Sequence, residues 1–279
     1  MFNKRYENFD NASILISGAA SGIGRTITNE FISSGNCNLI LLDLNLNGLN
    51  EVKEEAQKKS FTGSIEVFQV DISSISSVNL FFEQLKNRKI DILVNCAGVV
   101  SVGMFDSTPM QEIEKVINVN LIGSIRLTHS LLPLLLKSEK PSIININSVA
   151  GYVAAPGLSA YSASKFGLTG FSDALRKELG NKMQVCTIAP AFVKTNLALN
   201  TESNNKEKMN LFLHKMGANP KLVSKAVIFA LKYNLSWKLV SVQAYVLYYL
   251  NRLFPWLGGK AVNFGFEILK KEGVIATKK

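Results

Sequence analysis

The chain has 279 residues, of which 47% are hydrophobic and 19% charged. That balance excludes a disordered chain and supplies material for one large buried core. The 31 Lys and Arg against 21 Asp and Glu leave a net charge of +10, which asks for an anionic partner: nucleic acid, acidic lipid or a phosphorylated cofactor.

From Ser13 to about Pro190, short apolar runs alternate with helical patterns. Ser13 to Ser17 reads as a buried strand, and Gly22 to Ser34 as a helix closed by Gly35. Cys37 to Leu42 is the next strand, ending at Asp43, and Leu46 to Lys59 is helical. Ile65 to Val70 is a strand ending at Asp71, followed by a helix over Ser76 to Asn87. Ile90 to Asn95 is a strand leading into Ala97-Gly98. Thr108 to Lys137 reads as one long helix, with Pro133 near its end or at a kink. Ser142 to Asn147 is a strand, Ala160 to Leu179 a helix, and Gln184 to Ala189 a strand ending at Pro190. Thr195 to Asn219 is polar and reads as a loop with a short helix. Lys238 to Val242 looks like a last strand, Ala244 to Phe254 a helix, and Pro255 starts an apolar helix to about Lys271.

Strands apolar throughout belong in a parallel sheet covered on both faces. Repeated βα units wind such a sheet doubly, so the expected fold is α/β, a Rossmann-type doubly wound parallel sheet. Residues 1–243 would form the catalytic domain and 244–279 a helical extension. Ligands of such sheets bind at the carboxyl ends of the strands. Gly18, Asp43, Asp71, Asn95, Ser148 and Pro190 all fall there.

Cys37, Cys96 and Cys186 are odd in number and far apart, which argues against a disulfide framework; with only His129 and His214, a metal site is not expected. A reducing, cytoplasmic compartment follows. The N-terminus carries no apolar signal segment, and Leu239 to Leu250 is too short to span a bilayer.

Ser17-Gly18-Ala19-Ala20-Ser21-Gly22-Ile23-Gly24 follows the first strand and opens a helix. Gly18 permits a tight turn, Gly22 lets backbone approach a pyrophosphate, and Gly24 lets helix and strand pack closely. The free N–H groups and positive dipole end of the helix favour an anion. Alone, this could be an ordinary βα turn. Asp43 lies 19 residues after Gly24, where a carboxylate accepts both adenosine ribose hydroxyls and repels a 2′-phosphate. NAD is therefore favoured, with NADP possible if Arg25 compensates. Asp43 could instead be a helix N-cap, and Asp71 either a cap or the partner of the adenine amino group.

Tyr161 and Lys165 stand four apart on one helical face. An ordinary phenol has a pKa of about 10, too high for proton exchange near neutrality, and an adjacent ammonium would lower it. So tuned, Tyr161 exchanges a proton with a substrate oxygen. Ser148 ends a strand 13 residues earlier and would hydrogen-bond the same oxygen. Asn120 in Val119-Asn120-Leu121-Ile122-Gly123 could disturb its helix and hold a water linking Lys165 to solvent, or be an exposed helical polar residue.

Jointly these residues resemble the short-chain dehydrogenase/reductase family, over about residues 11 to 200. Ser17 to Gly24 matches TGxxxGxG with Ser for Thr. Asn95-Cys96-Ala97-Gly98 matches NNAG with Cys96 for the second Asn. Asn120, Ser148, Tyr161 and Lys165 match the catalytic tetrad, and Pro190 to Thr195 matches PGxxxT with Ala191 for Gly. The resemblance implies an NAD(P)-dependent oxidoreductase that interconverts a secondary alcohol and a ketone. Tyr161 would be the general acid/base, Lys165 would lower its pKa and bind the nicotinamide ribose, Ser148 would hold the substrate oxygen, and Asn120 would support a proton relay. Gly18, Ser21, Gly22, Ile23, Gly24, Asp43, Asp71, Asn95, Ala97, Gly98, Pro190, Val193 and Thr195 would line the cofactor's path. A homodimer or homotetramer through the Thr108–Lys137 and Ala160–Leu179 helices is also implied.

The C-terminus departs from the family's short members, with no TG…DGG ending. From Leu231 to Lys279 there are eight basic residues and two acids, among many aromatics. This concentration argues against nucleic acid. It resembles the endings of members that handle lipid- or steroid-like substrates. The segment could be a core or dimer helix, a lid over a substrate entrance, or an interfacial helix at a membrane surface. Phe192, Leu197, Leu199, Met209, Leu211, Phe212 and Leu213 would line an apolar pocket, or simply cover the core. Two other readings stand beside the enzyme: a dinucleotide-sensing protein without turnover, and a peripheral membrane interaction module.

Overall fold

The computed structural model describes residues 4–195, 211 and 213–272. Seven strands form one sheet: β1 (Ser13–Ser17), β2 (Asn38–Asp43), β3 (Ser64–Gln69), β4 (Ile92–Asn95), β5 (Ser142–Ile146), β6 (Gln184–Pro190) and β7 (Trp237–Val240). All neighbours are parallel, in the order β3-β2-β1-β4-β5-β6-β7. The uninterrupted apolar runs follow from two covered faces. Ile14 and Ile16 of β1 pack on one face with Ile27 and Phe31 of α1 (Gly22–Ser34) and Val227 and Leu231 of α7 (Pro220–Lys232). Leu15 between them packs on the other, with Val78 and Phe81 of α3 (Ile75–Leu85) and Leu127 and Leu131 of α5 (Ser124–Leu135). Strand order reverses between β1 and β4, so the turns after these strands part and leave a crevice at their carboxyl ends.

The helical stretch expected over Thr108 to Lys137 is not one regular helix. It consists of α4 (Met110–Ile117), a π-helical turn over Asn118–Gly123, and α5. Pro133 is accommodated in the last turns of α5. The wide turn carries Asn120 inward, and such turns often serve a site. α2 (Leu46–Lys58) and α6 (Ser159–Leu179) lie within two residues of their expected bounds. α7 starts with Pro220 at its first position, beneath an Asn219 cap.

After β7, α8 (Val242–Leu253) and α9 (Pro255–Lys271) form a helical pair. Ala244 is fully buried beside Ala189 and Leu239, and Tyr248 packs its ring on Tyr152 and Trp237 at centroid distances of 5.3 and 5.5 Å. α8 is thus fastened to the sheet edge, and α9 lies across the carboxyl side of the crevice. Among the described residues no helix is long and apolar enough to cross a membrane.

Candidate active site

The crevice is a cavity of about 950 Å³, lined from the glycine turn through Asp43 and Asp71 to Ser148, Tyr161 and Lys165 and on to α9. Ser17 joins its two lips, since the Cys96 and Ala97 N–H groups donate to its Oγ at 3.1 and 3.3 Å. Gly18, at φ +72°, lies so close to the turn after β4 that a Cβ would stand 2.7 Å from Ala97 Cα. Gly24 is equally constrained, because a Cβ there would sit 2.0 Å from Gly18 O. Gly22 differs from expectation: a Cβ would meet only Thr195, at an ordinary 3.5 Å. Its positive φ shapes the turn, and it faces Thr195 across the cavity.

Ser21 precedes α1 with extended backbone and makes no side-chain cap, and the first turn holds no acid. Ser21, Gly22, Ile23 and Gly24 all line the cavity, so the unsatisfied N–H groups of this helix end open onto it. That donor set fits a pyrophosphate. The Asp43 carboxylate accepts the Ala20 N–H at 3.0 Å on Oδ2 and the Asn45 N–H at 3.0 Å on Oδ1. Each oxygen retains a second lone pair for a hydroxyl. Asp43 is not the cap of α2; Asn45 is, accepting from Gly48 N. Likewise Ser74 caps α3, while Asp71 accepts both the N–H and Oγ–H of Ser73 and lines the cavity. Arg25 donates to Glu51 at 3.2 Å and Glu55 at 2.8 Å on α2.

Asn95 does not line the cavity. It is buried in register with Asn145, and its Nδ2 donates to Asn145 Oδ1 at 2.8 Å and Thr128 Oγ1 at 2.9 Å. The row continues from Asn145 Nδ2 to Ser172 Oγ. This buried row ties β4 to β5, α5 and α6. Ala97 and Gly98 do line the crevice. On the opposite side, Pro190 ends β6, and Val193 bridges Ala218 with Lys194 N donating to Ala218 O at 3.0 Å. This pins the floor from Pro190 to Thr195.

Asn120 is fully buried, not an exposed helical residue. Its Oδ1 accepts the Val99 N–H at 2.8 Å, and its Nδ2 donates to Val99 O at 2.9 Å and Ser164 Oγ at 3.1 Å. The side chain thereby ties the π-helical turn to the segment after β4 and to α6. Ser148 Oγ accepts the Ala150 N–H at 3.1 Å, which leaves its own proton to donate. Its hydroxyl is close enough to Tyr161 to pull the phenol's pKa downward.

Lys165 is only 5% exposed; its Nζ donates to Ile146 O at 3.0 Å and lies 5.7 Å from the Tyr161 ring centre. The expected direct lowering of the phenol by the lysine is not what the protein alone produces. Burial pushes the Tyr161 phenol up to about 12, and the opposing pull is the Ser148 hydrogen bond. Burial also brings the Lys165 ammonium down to about 8. Desolvation penalises both charged forms, and the ammonium is turned to a backbone carbonyl.

The remaining walls are apolar. Leu213 packs with Val100, Val102, Phe266 and Leu269, so α9 closes the substrate side of the cavity. Among the residues expected there, Leu211, Leu213 and Phe192 line it; Leu197, Leu199, Met209 and Phe212 lie outside the described residues. The contributions of Val262, Phe266 and Leu269 were not singled out from the sequence, although their three- and four-residue spacing marks one helix face.

Residues 12–206 match the short chain dehydrogenase family. The dehydrogenase/reductase SDR family protein 7-like of Drosophila melanogaster is 31% identical over 252 residues, 88% of this chain and 77% of that protein. Estradiol 17-beta-dehydrogenase 11 of Rattus norvegicus is 30% identical over 222 residues, 75% of this chain and 74% of the relative. A short chain dehydrogenase/reductase from Burkholderia phymatum, solved in complex with NAD, superimposes with a TM-score of 0.80 at 23% identity, covering 90% of this chain and 96% of that one. A match across most of the sheet, joined to relatives of such length, is decisive: this chain belongs to the short-chain dehydrogenase/reductase family and is an oxidoreductase acting on CH–OH groups.

Proposed function

We propose that the protein uses NAD to interconvert an apolar secondary alcohol and its ketone. The observation that carries this is one continuous cavity with an anion-ready helix end, a ribose-competent carboxylate, the Ser148–Tyr161–Lys165 group and an apolar far wall. The bound dinucleotide would supply the hydride donor or acceptor. The N–H groups of α1 and Thr195 would hold its pyrophosphate, Asp43 the adenosine ribose, and Asp71 the adenine amino group. Arg25, already paired with Glu51 and Glu55, offers no cation to a 2′-phosphate, which supports NAD over NADP.

Tyr161 would give its proton to the substrate oxygen as a ketone is reduced and take it back when an alcohol is oxidised. Ser148 would hold that oxygen. Lys165 would bind the nicotinamide ribose, and its charge, added to that of an oxidised pyridinium, would bring the phenol down from about 12. Asn120 acts here as a positioning residue that holds the Val99 segment beside Lys165. The apolar wall of Val102, Phe266 and Leu269 supports a hydrophobic substrate, as does the name of the rat relative. Exposed Met110 on α4, Ile122 on the π-helical turn and Phe166 on α6 would supply an apolar surface for self-association.

The test is Tyr161→Phe, measured by NADH binding and by turnover over a panel of apolar ketones. Binding should persist and turnover fall by roughly 100- to 10,000-fold. Retained turnover would remove Tyr161 from its role, and NADH binding without any oxidation in the wild type would favour a dinucleotide sensor.

A further inference from the structure

We propose that the α8–α9 pair docks the protein on an anionic phospholipid surface. The two helices turn different faces to the cavity and to solvent. On α9 the inner face, with Val262, Phe266 and Leu269, lines the cavity. The opposite face carries Trp256, Lys260 and Phe264 at four-residue spacing, all exposed, Phe264 by 71%. On α8, Tyr248 and Ala244 face the sheet, while Val242, Val246, Tyr249 and Leu253 form an outward stripe, with Val242 78% and Leu253 65% exposed. Phe254, between the two helices in the chain, is also exposed. This many exposed large apolar side chains on two adjoining helices mark an interaction site.

The chemistry of the stripe selects the occupant. Its aromatic residues include Tyr249 and Trp256, which suit the boundary between water and acyl chains. Cations stand among them: Lys260 lies over the Trp256 ring at 5.2 Å, and Arg252 and Lys271 are exposed. The acids of these helices are Glu267, paired with Lys270, and Glu272. Eight basic residues stand against two acids from Leu231 to Lys279. A second copy of this chain would bring these like charges together and bury Lys260, which interface cores disfavour. Acidic headgroups meet each lysine with attraction, and aromatic rings enter beneath them. Because α9 carries the cavity wall on its other side, such docking brings the apolar cavity within about one helix diameter, roughly 10 Å, of the lipid.

The experiment is co-sedimentation of the full chain with phosphatidylcholine vesicles, with and without phosphatidylserine, read beside sedimentation velocity of the protein alone. Binding should require phosphatidylserine and weaken as salt is raised. Leu253→Asp and Phe264→Asp, at exposed positions away from the cavity, should each reduce partitioning by roughly tenfold or more. Lys260→Glu with Lys271→Glu should abolish the preference for phosphatidylserine. Absence of binding, binding indifferent to phosphatidylserine, or variants that bind like the wild type would overturn the proposal. So would a wild-type dimer that Leu253→Asp converts to monomer without any vesicle binding. None of these readouts involves turnover, so their failure leaves the oxidoreductase intact.

Discussion

Replacing Asp43 by Asn separates the role of a charge from that of a shape. The carboxylate currently accepts two backbone N–H groups, from Ala20 and Asn45, each at 3.0 Å. The amide has a single acceptor oxygen, so one N–H loses its partner and its NH₂ faces a donor. That costs about 1–2 kcal/mol and should lower the melting temperature by about 2–4 °C whichever cofactor is present. For NAD, the ribose hydroxyls exchange a charged acceptor for a neutral one, a loss of about 1–3 kcal/mol, or roughly 5- to 150-fold in Kd. For NADP the same loss is offset by relief of like-charge repulsion, about 1–2 kcal/mol at a half-exposed, solvent-screened site. Titration of NADH and NADPH by fluorescence reads both constants without any need for a substrate. The variant should bind NADH more weakly and NADPH about as well as before. Equal weakening of the two, or a wild type that prefers NADPH, would refute the assignment of Asp43 and with it the inertness ascribed to Arg25.

Lys165→Met should stabilise the protein near neutrality, because the buried ammonium is disfavoured once its pKa has dropped from 10.5 to about 8. Between those values the unfolded chain binds the extra proton, so the wild type regains stability as pH rises. The advantage of the variant should therefore be about 3 kcal/mol at pH 7 and vanish by about pH 10.5, as read from urea melts at each pH; a constant difference would show that the ammonium is not desolvated. Tyr248→Ala should lower stability by about 2–4 kcal/mol, since the ring joins Tyr152, Trp237 and Tyr249; a melting temperature within 1 °C, about the scatter of a thermal melt, would mean that α8 is held otherwise. Phe266→Trp should narrow the apolar end of the cavity and raise KM for bulky ketones while sparing small ones; a uniform change would place α9 outside the substrate's path. Phe166→Glu should yield monomers in sedimentation velocity if α6 carries the self-association surface, and an unchanged mass would discard that surface.

Periodicity and punctuation in the chain were enough for the sheet. Apolar runs ended by Gly18, Asp43 and Asn95 read as covered strands, β3 proved a half-exposed edge strand, and the alternation with helices left one handed way to wind. The glycine turn and the Tyr161–Lys165 pair were legible because their function depends on local spacing. What a side chain does across the fold was not. Asn95 sits at a strand's functional end, yet its neighbour in register is Asn145, so its amide also stitches strands together, a pairing that spacing along the chain does not reveal. Asn120 became a clamp on Val99 only because the π-turn brings it there. Arg25 was neutralised by Glu51 and Glu55, which are 26 and 30 residues away. The direction of the Tyr161 and Lys165 shifts depended on burial, which spacing along a helix does not encode. Sequence carries what neighbours along the chain impose; desolvation and long-range pairing exist only once distant segments have closed around a group and excluded water from it.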